Sequence, residues 1–285
     1  MQRSFVSWIL IPLITFIIPS VAAQDSTRTT SDLSAANKII HAFGNSFLVW
    51  DIPLTATTVI PAIAVQSVKN KPFHIPPSQW EIDFSKRIGR VDTEISIGAF
   101  NPAIILGSII LLRDATLLTL DLLDASDITV RDYERSFVLG KSVLYTVGTT
   151  FLIKKLTMRL RPDSSDDDSF FSGHASSTFA GFSFMNYELF DWIDREYPAE
   201  DQRAKRLWLK IGSSTLCYGW SMYVAYSRMK DNKHYLGDVV MGAIVGTGMS
   251  TLLYHLHFDD DDRSSGAWYI LPTEAGVLAG YTLRF

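Results

Sequence analysis

The chain has 285 residues, 47% of them hydrophobic and 20% charged, with one cysteine and a formal net charge of −4. That composition excludes a disordered tail, a collagen-like repeat and a disulfide-stapled mini-protein, and the length suffices to bury an apolar core without cross-links or metals. The slightly acidic balance, with no long Lys/Arg run, sets nucleic acid aside as a partner, because that binding relies on clustered positive charge.

Residues 1–23 carry a single charge, Arg3, ahead of an apolar stretch and the small residues Val21, Ala22 and Ala23. The order reads as a secretory signal peptide cleaved after Ala23, with an uncleaved anchor as the alternative. Residues 24–40 read as a flexible leader, since Gln24 to Asn37 is rich in Ser, Thr, Asp and Ala and has no helical or strand period. Beyond it, uncharged runs at 52–68, 95–112, 142–153, 211–227 and 239–254 are separated by charged turns, and their lengths predict helices. Only 95–112 reaches the 18 residues usually asked of a membrane span, and the mean hydropathy is +0.12. Core packing in a compact, all-α bundle is therefore the expected role of these runs, with membrane insertion as the alternative.

Cys217 falls inside the fourth run, has no partner in the chain and reads as a small buried hydrophobe. Residues 191–210, which include Pro198, read as a solvated connection leading into the next helix. The four aspartates at 259–262 read as a solvated acidic turn, because a calcium loop would space its ligands and turn at a glycine. Residues 268–285 alternate as strands do, with Val277, Ala279, Tyr281, Leu283 and Phe285 on one face and a turn from Pro272 to Gly276. A hairpin docked on the bundle is expected there.

Three clusters between Lys154 and Asp238 carry chemistry. Lys154 and Arg161 are seven apart, which predicts one face of a helix that Pro162 ends. Ser172, Gly173 and His174 stand directly before an apolar segment, so a helix starting there would present unpaired backbone N–H groups beside an imidazole, with Gly173 allowing close approach of a ligand. Ser227 and Arg228 are followed by His234 and Asp238, whose spacing of four predicts one helix face on which the carboxylate fixes the ring tautomer. Each cluster alone has an ordinary explanation: a basic helix end, a serine cap, a surface pair. Together, three cations, two histidines, an orienting carboxylate and a helix N-terminus are the equipment of phosphoryl transfer, which needs charge neutralisation and positioning above all.

The order and spacing resemble the type-2 phosphatidic acid phosphatases, which share fold and pocket with the vanadium haloperoxidases. Their pattern runs K, six residues, R-P; then P-S-G-H; then S-R, five residues, H, three residues, D. It is matched at Lys154, Arg161, Pro162, Ser172, Gly173, His174, Ser227, Arg228, His234 and Asp238, with Phe171 where the family has proline, a change that removes one fixed dihedral from the loop. The resemblance covers 136–257 and implies a helical bundle of about six core helices. It divides the chain into an N-terminal helical region at 41–135, a catalytic core at 136–257, and an acidic turn with hairpin at 258–285.

It also implies a phosphohydrolase that needs no metal or other cofactor and acts on a phosphomonoester, a lipid phosphate or a polyprenyl diphosphate. His234 would be the nucleophile that forms a phosphohistidine, Asp238 its orienting partner, and His174 the general acid and then base. Lys154, Arg161 and Arg228, with the N–H groups around Ser172 and Gly173, would bind the phosphoryl oxygens. The implied partner is a phosphorylated substrate, including a lipid, with membrane association and a site outside the cytoplasm. A vanadate-dependent haloperoxidase and an inactive envelope binding protein are the alternatives. Asp163, Asp166, Asp167 and Asp168 lie in the short loop between the first two clusters and read as a solvated loop, with a pocket rim that disfavours highly anionic substrates as the alternative.

Overall fold

The structure, a computed structural model, describes residues 33–65, 71–89, 97–124, 126–258, 267–273 and 276–282. The expected signal peptide, most of the leader, the acidic turn at 259–262 and the last residues of the hairpin, with Leu283 and Phe285, lie outside the described residues.

The architecture is all-α, as expected. Helix α1 (Ala35–Asn45) is followed by α2 (Asp51–Ala64), which contains a π turn at Thr55–Val59, and by α3 (Gln79–Ile88). Five long helices complete the bundle: α4 (Pro102–Leu122), α5 (Val130–Leu156), α6 (Gly173–Glu196), α7 (Arg203–Lys230) and α8 (Leu236–Phe258). Two-residue strands β1 (Phe73–His74) and β2 (Thr157–Met158) pair in parallel, and β3 (Ala267–Thr273) pairs antiparallel with β4 (Gly276–Thr282), from Ala267 opposite Thr282 to Thr273 opposite Gly276. The expected C-terminal hairpin is thus present, beside α1.

Helix α6 is the centre of the bundle and packs on α5, α7 and α8. Its closest neighbour is α8, because Gly242 and Gly246 present no side chain: a Cβ at Gly246 would lie 2.1 Å from the Ser176 carbonyl oxygen, and one at Gly242 2.7 Å from that of Ser172. Ser250 Oγ, one turn further, donates to the Ala180 carbonyl. Below this seam Val138 and Leu139 of α5, Phe184 of α6 and Leu253, Tyr254 and Phe258 of α8 form the main apolar core. Local chemistry sets the helix starts. Ser78 and Glu81 make a capping box on α3, Thr129 and Asp132 another on α5, and Asn101 caps α4 with Pro102 at its first position.

Three expectations are corrected. The leader ends earlier than residue 40, because Ser34 Oγ accepts the Asn37 N–H and starts α1, whose Ala42 packs with Ile128, Val130 and Tyr133; the Ser- and Ala-rich composition belonged partly to a helix cap. The connection at 191–210 is mostly helix, since α6 runs on to Glu196 and α7 begins at Arg203. Core packing is only part of the role of the second apolar run: α4 buries Leu106 and packs Ile110 on the main core, but Ile104, Leu111 and Leu112 are exposed, the last two at 72% and 71%. α4, α5 and α8 are long and apolar enough to cross a membrane. Cys217, by contrast, is buried as expected.

Candidate active site

The last turns of α5 and α7 and the first turns of α6 and α8 meet at one end of the bundle, around a cavity of about 190 Å³. Lys154 enters from α5, Gly173 and His174 from α6 and Arg228 from α7. Arg161, Lys233 and His234 enter from the intervening loops. Every cluster singled out in the sequence therefore contributes to one cavity, in which backbone N–H groups at the start of α6 face four cationic side chains.

Two local predictions fail although their residues arrive. Lys154 and Arg161 do not share a helix face. The chain leaves α5 at Thr157, whose backbone is extended, whose Oγ1 donates to the Ile153 carbonyl at 2.8 Å, and which pairs with Phe73. A β-branched residue with a strand partner stops the helix before Pro162 can. Arg161 is brought back by the loop after it, in which the Arg161 N–H donates to the Asp166 carbonyl at 3.0 Å and Arg161 Nε lies 2.6 Å from Asp166 Oδ1.

Nor is His234 on a helix with Asp238, since α8 begins two residues after it. Asp238 instead sits in the first turn of α8 and behaves as a cap for the incoming loop. Its Oδ2 accepts the Tyr235 N–H at 2.8 Å and the Ser169 hydroxyl at 2.5 Å, and lies 3.7 Å from His234 Nδ1. At 3.7 Å the pair is an electrostatic contact, longer than a hydrogen bond. It leaves Nε2 as the ring nitrogen not committed to the carboxylate.

Asp238 is completely buried, and the sequence reading missed what balances it. Arg159 Nε lies 3.0 Å from Asp238 Oδ1, while its Nη2 binds Glu81 Oε1 at 2.7 Å. Glu81 in turn accepts the Gly237 N–H at 3.2 Å, tying α3 to the start of α8. The guanidinium lies 5.8 Å and 5.2 Å from the ring centroids of Phe170 and Tyr235. Arg159 stood in the same basic run as Arg161 and drew no notice, since only Arg161 fits the motif. Lys233 was also missed: it lines the cavity and pairs with Asp163 at 2.5 Å.

Phe171, in the place of proline, does not loosen the loop. It is 2% exposed, follows a cis peptide bond and meets Phe170 edge to face, while the Ser172 N–H donates to the Asp238 carbonyl at 3.0 Å. Burial of an aromatic ring replaces the fixed dihedral. Ser172 Oγ accepts the Ala175 N–H and caps α6, as expected.

In the acidic loop the carboxylates find cationic partners. Asp163 pairs with Lys233, Asp166 with Arg161, and Asp167 and Asp168 with Lys71 at 2.8 and 2.6 Å. Burial opposes the charge on Asp168, yet Lys71 holds its carboxyl below the ordinary value. The rim therefore shows paired charges in place of a repulsive acidic face. Arg228 similarly pairs with Asp231, and Lys154 donates to the Asp168 carbonyl.

Both histidines are held neutral. Burial, then Arg228, lowers His174 to about 4 despite its contact with the Ala99 carbonyl at 3.3 Å, and burial lowers His234 to about 4 despite Asp238. A neutral imidazole with a free nitrogen can attack phosphorus. An anion among the cations would favour protonation of the other. Among the described residues no group of three His, Cys, Asp or Glu side chains is placed to hold a metal ion.

The family model described as the PAP2 superfamily matches residues 136–262, a span that contains all ten pattern positions from Lys154 to Asp238. No curated protein and no solved structure matches the chain.

Proposed function

From residues 136–262 as a segment of the PAP2 superfamily, whose members are phosphatase- and haloperoxidase-like enzymes, we propose that this protein is a phosphohydrolase working through a phosphohistidine. The observation that carries the reading is the convergence of His234, His174 and the cations Lys154, Arg161 and Arg228 on one cavity at a helix N-terminus. The phosphoryl group of the substrate is bound by those cations and the N–H groups at the start of α6, each charge-assisted bond contributing roughly 1.5 to 3 kcal/mol. His234 Nε2 attacks phosphorus, forming the P–N bond as the P–O bond to the leaving group breaks, and His174 delivers a proton to that oxygen. Water then attacks phosphorus, His174 takes its proton, and the P–N bond breaks to release phosphate and neutral His234. Asp238, fixed by Arg159 and Ser169, stabilises the positive ring during the intermediate.

The substrate phosphate is carried by a molecule met at a membrane surface. Three helices fit a bilayer by length and composition, and the site lies at one end of them. Export, with the site outside the cytoplasm, is part of the same proposal and follows from the signal-like first 23 residues.

The test is phosphate release by the full chain in detergent with chelator present, together with trapping of an acid-labile phosphoryl label. We expect His234→Ala to lose roughly 10³-fold or more in kcat and all of the label. His174→Ala should lose roughly 10² to 10⁴-fold on an alkyl phosphate and far less on a nitrophenyl phosphate, whose leaving group needs no proton. Release unchanged in His234→Ala would overturn the proposal, and halide oxidation that appears only with added vanadate would move the cavity to the haloperoxidase reading.

A further inference from the structure

The end of α7 decides where Lys233 stands. The Lys233 N–H donates to the Arg228 carbonyl and the Asn232 N–H to the Met229 carbonyl, both at 3.0 Å, while Asn232 takes a φ of 54°. This is the Schellman ending of a helix, with asparagine in the left-handed position that glycine usually fills. It turns the chain across the end of α7, so that Lys233 and His234, neighbours in sequence, both line the phosphate cavity. Lys233 is the last of the five residues that the family pattern leaves unspecified between Arg228 and His234, and the resemblance gives it no role.

The cations of the cavity are held in different ways. Asp166 meets Arg161 at Nε, from which a carboxylate orients the guanidinium without covering its two terminal nitrogens. Lys154 donates to a neutral acceptor, the Asp168 carbonyl, and Arg228 pairs with Asp231 within the last turn of its own helix. Lys233 has its whole charge in one ammonium, and Asp163 Oδ2 lies 2.5 Å from it. Its side chain is 39% exposed, against 21% and 7% for Arg161 and Arg228, which puts it at the mouth of the cavity.

Asp163 is the fixed member of that pair. Its Oδ1 accepts the Ser165 N–H at 3.1 Å and the Ser165 hydroxyl at 2.7 Å, and its own N–H donates to the Asn232 carbonyl at 3.1 Å. The lysine, on a flexible four-carbon stem, can turn away while the carboxylate keeps both bonds to Ser165. A lysine–carboxylate pair this exposed contributes little in water, and a phosphate dianion in the cavity brings more charge than the carboxylate it would replace.

We propose that Lys233 is a further phosphate-binding residue and Asp163 its internal counter-ion: the ammonium leaves Asp163 for the phosphate oxygens when substrate enters and returns to it when phosphate departs. The inference rests on the phosphohydrolase reading and deepens it, because Asp163 then competes with substrate and product alike and limits how tightly either is held.

The experiment measures binding of inorganic phosphate to the full chain in detergent by calorimetry, beside kcat and KM for butyl phosphate. Lys233→Met, which keeps the stem and loses the charge, should weaken phosphate roughly tenfold and raise KM in proportion with a smaller change in kcat, and Lys233→Arg should recover most of the affinity. Asp163→Asn should tighten phosphate roughly threefold or more, and the same substitution made in Lys233→Met should have no effect. Equal tightening by Asp163→Asn in both backgrounds would mean that the lost carboxylate acts through its field alone, and would overturn the exchange. Wild-type affinity in Lys233→Met would overturn it too, while leaving phosphate release and the phosphohydrolase reading intact. Should Asp163→Asn fail to fold, the lysine variants decide: recovery in Lys233→Arg supports the exchange and an equal loss in both overturns it. Lys233-dependent binding of inorganic phosphate with no release from butyl phosphate supports the exchange and counts against the phosphohydrolase reading for that ester. No binding of inorganic phosphate by the wild type overturns the exchange.

Discussion

Arg159 is 5% exposed and divides its guanidinium between Asp238 and Glu81, two carboxylates with little access to water. Removing one partner of such a cluster leaves the others buried and uncompensated, which costs about 3–5 kcal/mol. Arg159→Leu should therefore lower stability by roughly that amount in denaturant unfolding, and Glu81→Gln added to it should recover part of the loss. The same variant should lower kcat more than it raises KM, since Asp238 acts on His234 and not on the substrate. A second expectation at this scale concerns pH. His174 and His234 are both depressed to about 4 from an ordinary value of about 6.5, so the unfolded chain takes up protons that the folded chain refuses as pH falls between those values. Stability contributed by the two neutral rings is fully present above about 6.5 and is lost through that window, by an amount on the order of a few kcal/mol. Unfolding at pH 7 and pH 5 should show the fall, and His234→Gln should show less of it. Inorganic phosphate, by favouring a charged imidazole, should also reduce it.

The contact of α6 with α8 shows how an element positions chemistry. Gly242, Gly246 and Ser250 recur every four residues and face Ser172, Ser176 and Ala180, so the two backbones approach as small residues allow. Their first turns are thereby aligned, and the Ser172 N–H reaches the Asp238 carbonyl. Gly246→Ala should cost about 1–3 kcal/mol, because its Cβ would meet backbone that cannot give, and should reduce kcat by moving His174 relative to His234. Gly248→Ala on the same helix, where a Cβ meets nothing within 4 Å, should be neutral or stabilising by roughly 0.5–1 kcal/mol. Thermal unfolding of the two variants compares them directly. The sequence reading recognised this run as a helix from its uncharged length and passed over the glycine spacing, which was the available signal. It also ended α5 at the proline, where the nearer Thr157 and its pairing with Phe73 decide the matter.

At the scale of the molecule, one face of α4 packs on the bundle through Leu106 and Ile110 while Leu111, Leu112 and Leu122 stay exposed, and the catalytic end coincides with one end of the membrane-length helices. Lysine at the centre of a span costs about 2.5–3.5 kcal/mol, so Leu111→Lys with Leu112→Lys should release the protein from membranes on carbonate extraction, while Leu106→Met, in the buried face of the same helix, should not. The sequence by itself determined the helical class, the C-terminal hairpin and six of the seven residues that line the cavity, all but Lys233, because periods of hydrophobicity and the order of charged groups are properties of a linear string. It could not decide which apolar faces are covered. A run such as 95–112 reads the same whether its neighbour is a helix or a lipid, and burial depends on what the rest of the chain leaves room for. Nor could spacing alone place Arg161 and His234, which reach the cavity from loops after local helix rules had put them on helices. Partners outside any helix decided those positions: Phe73 for the end of α5, Asp166 of the same loop for Arg161, and Arg159 and Ser169 for the carboxylate that His234 faces. The pairs of Phe73 with Thr157 and of Asp238 with Arg159 and Ser169 cross tens of residues of sequence, and only the folded chain brings them together.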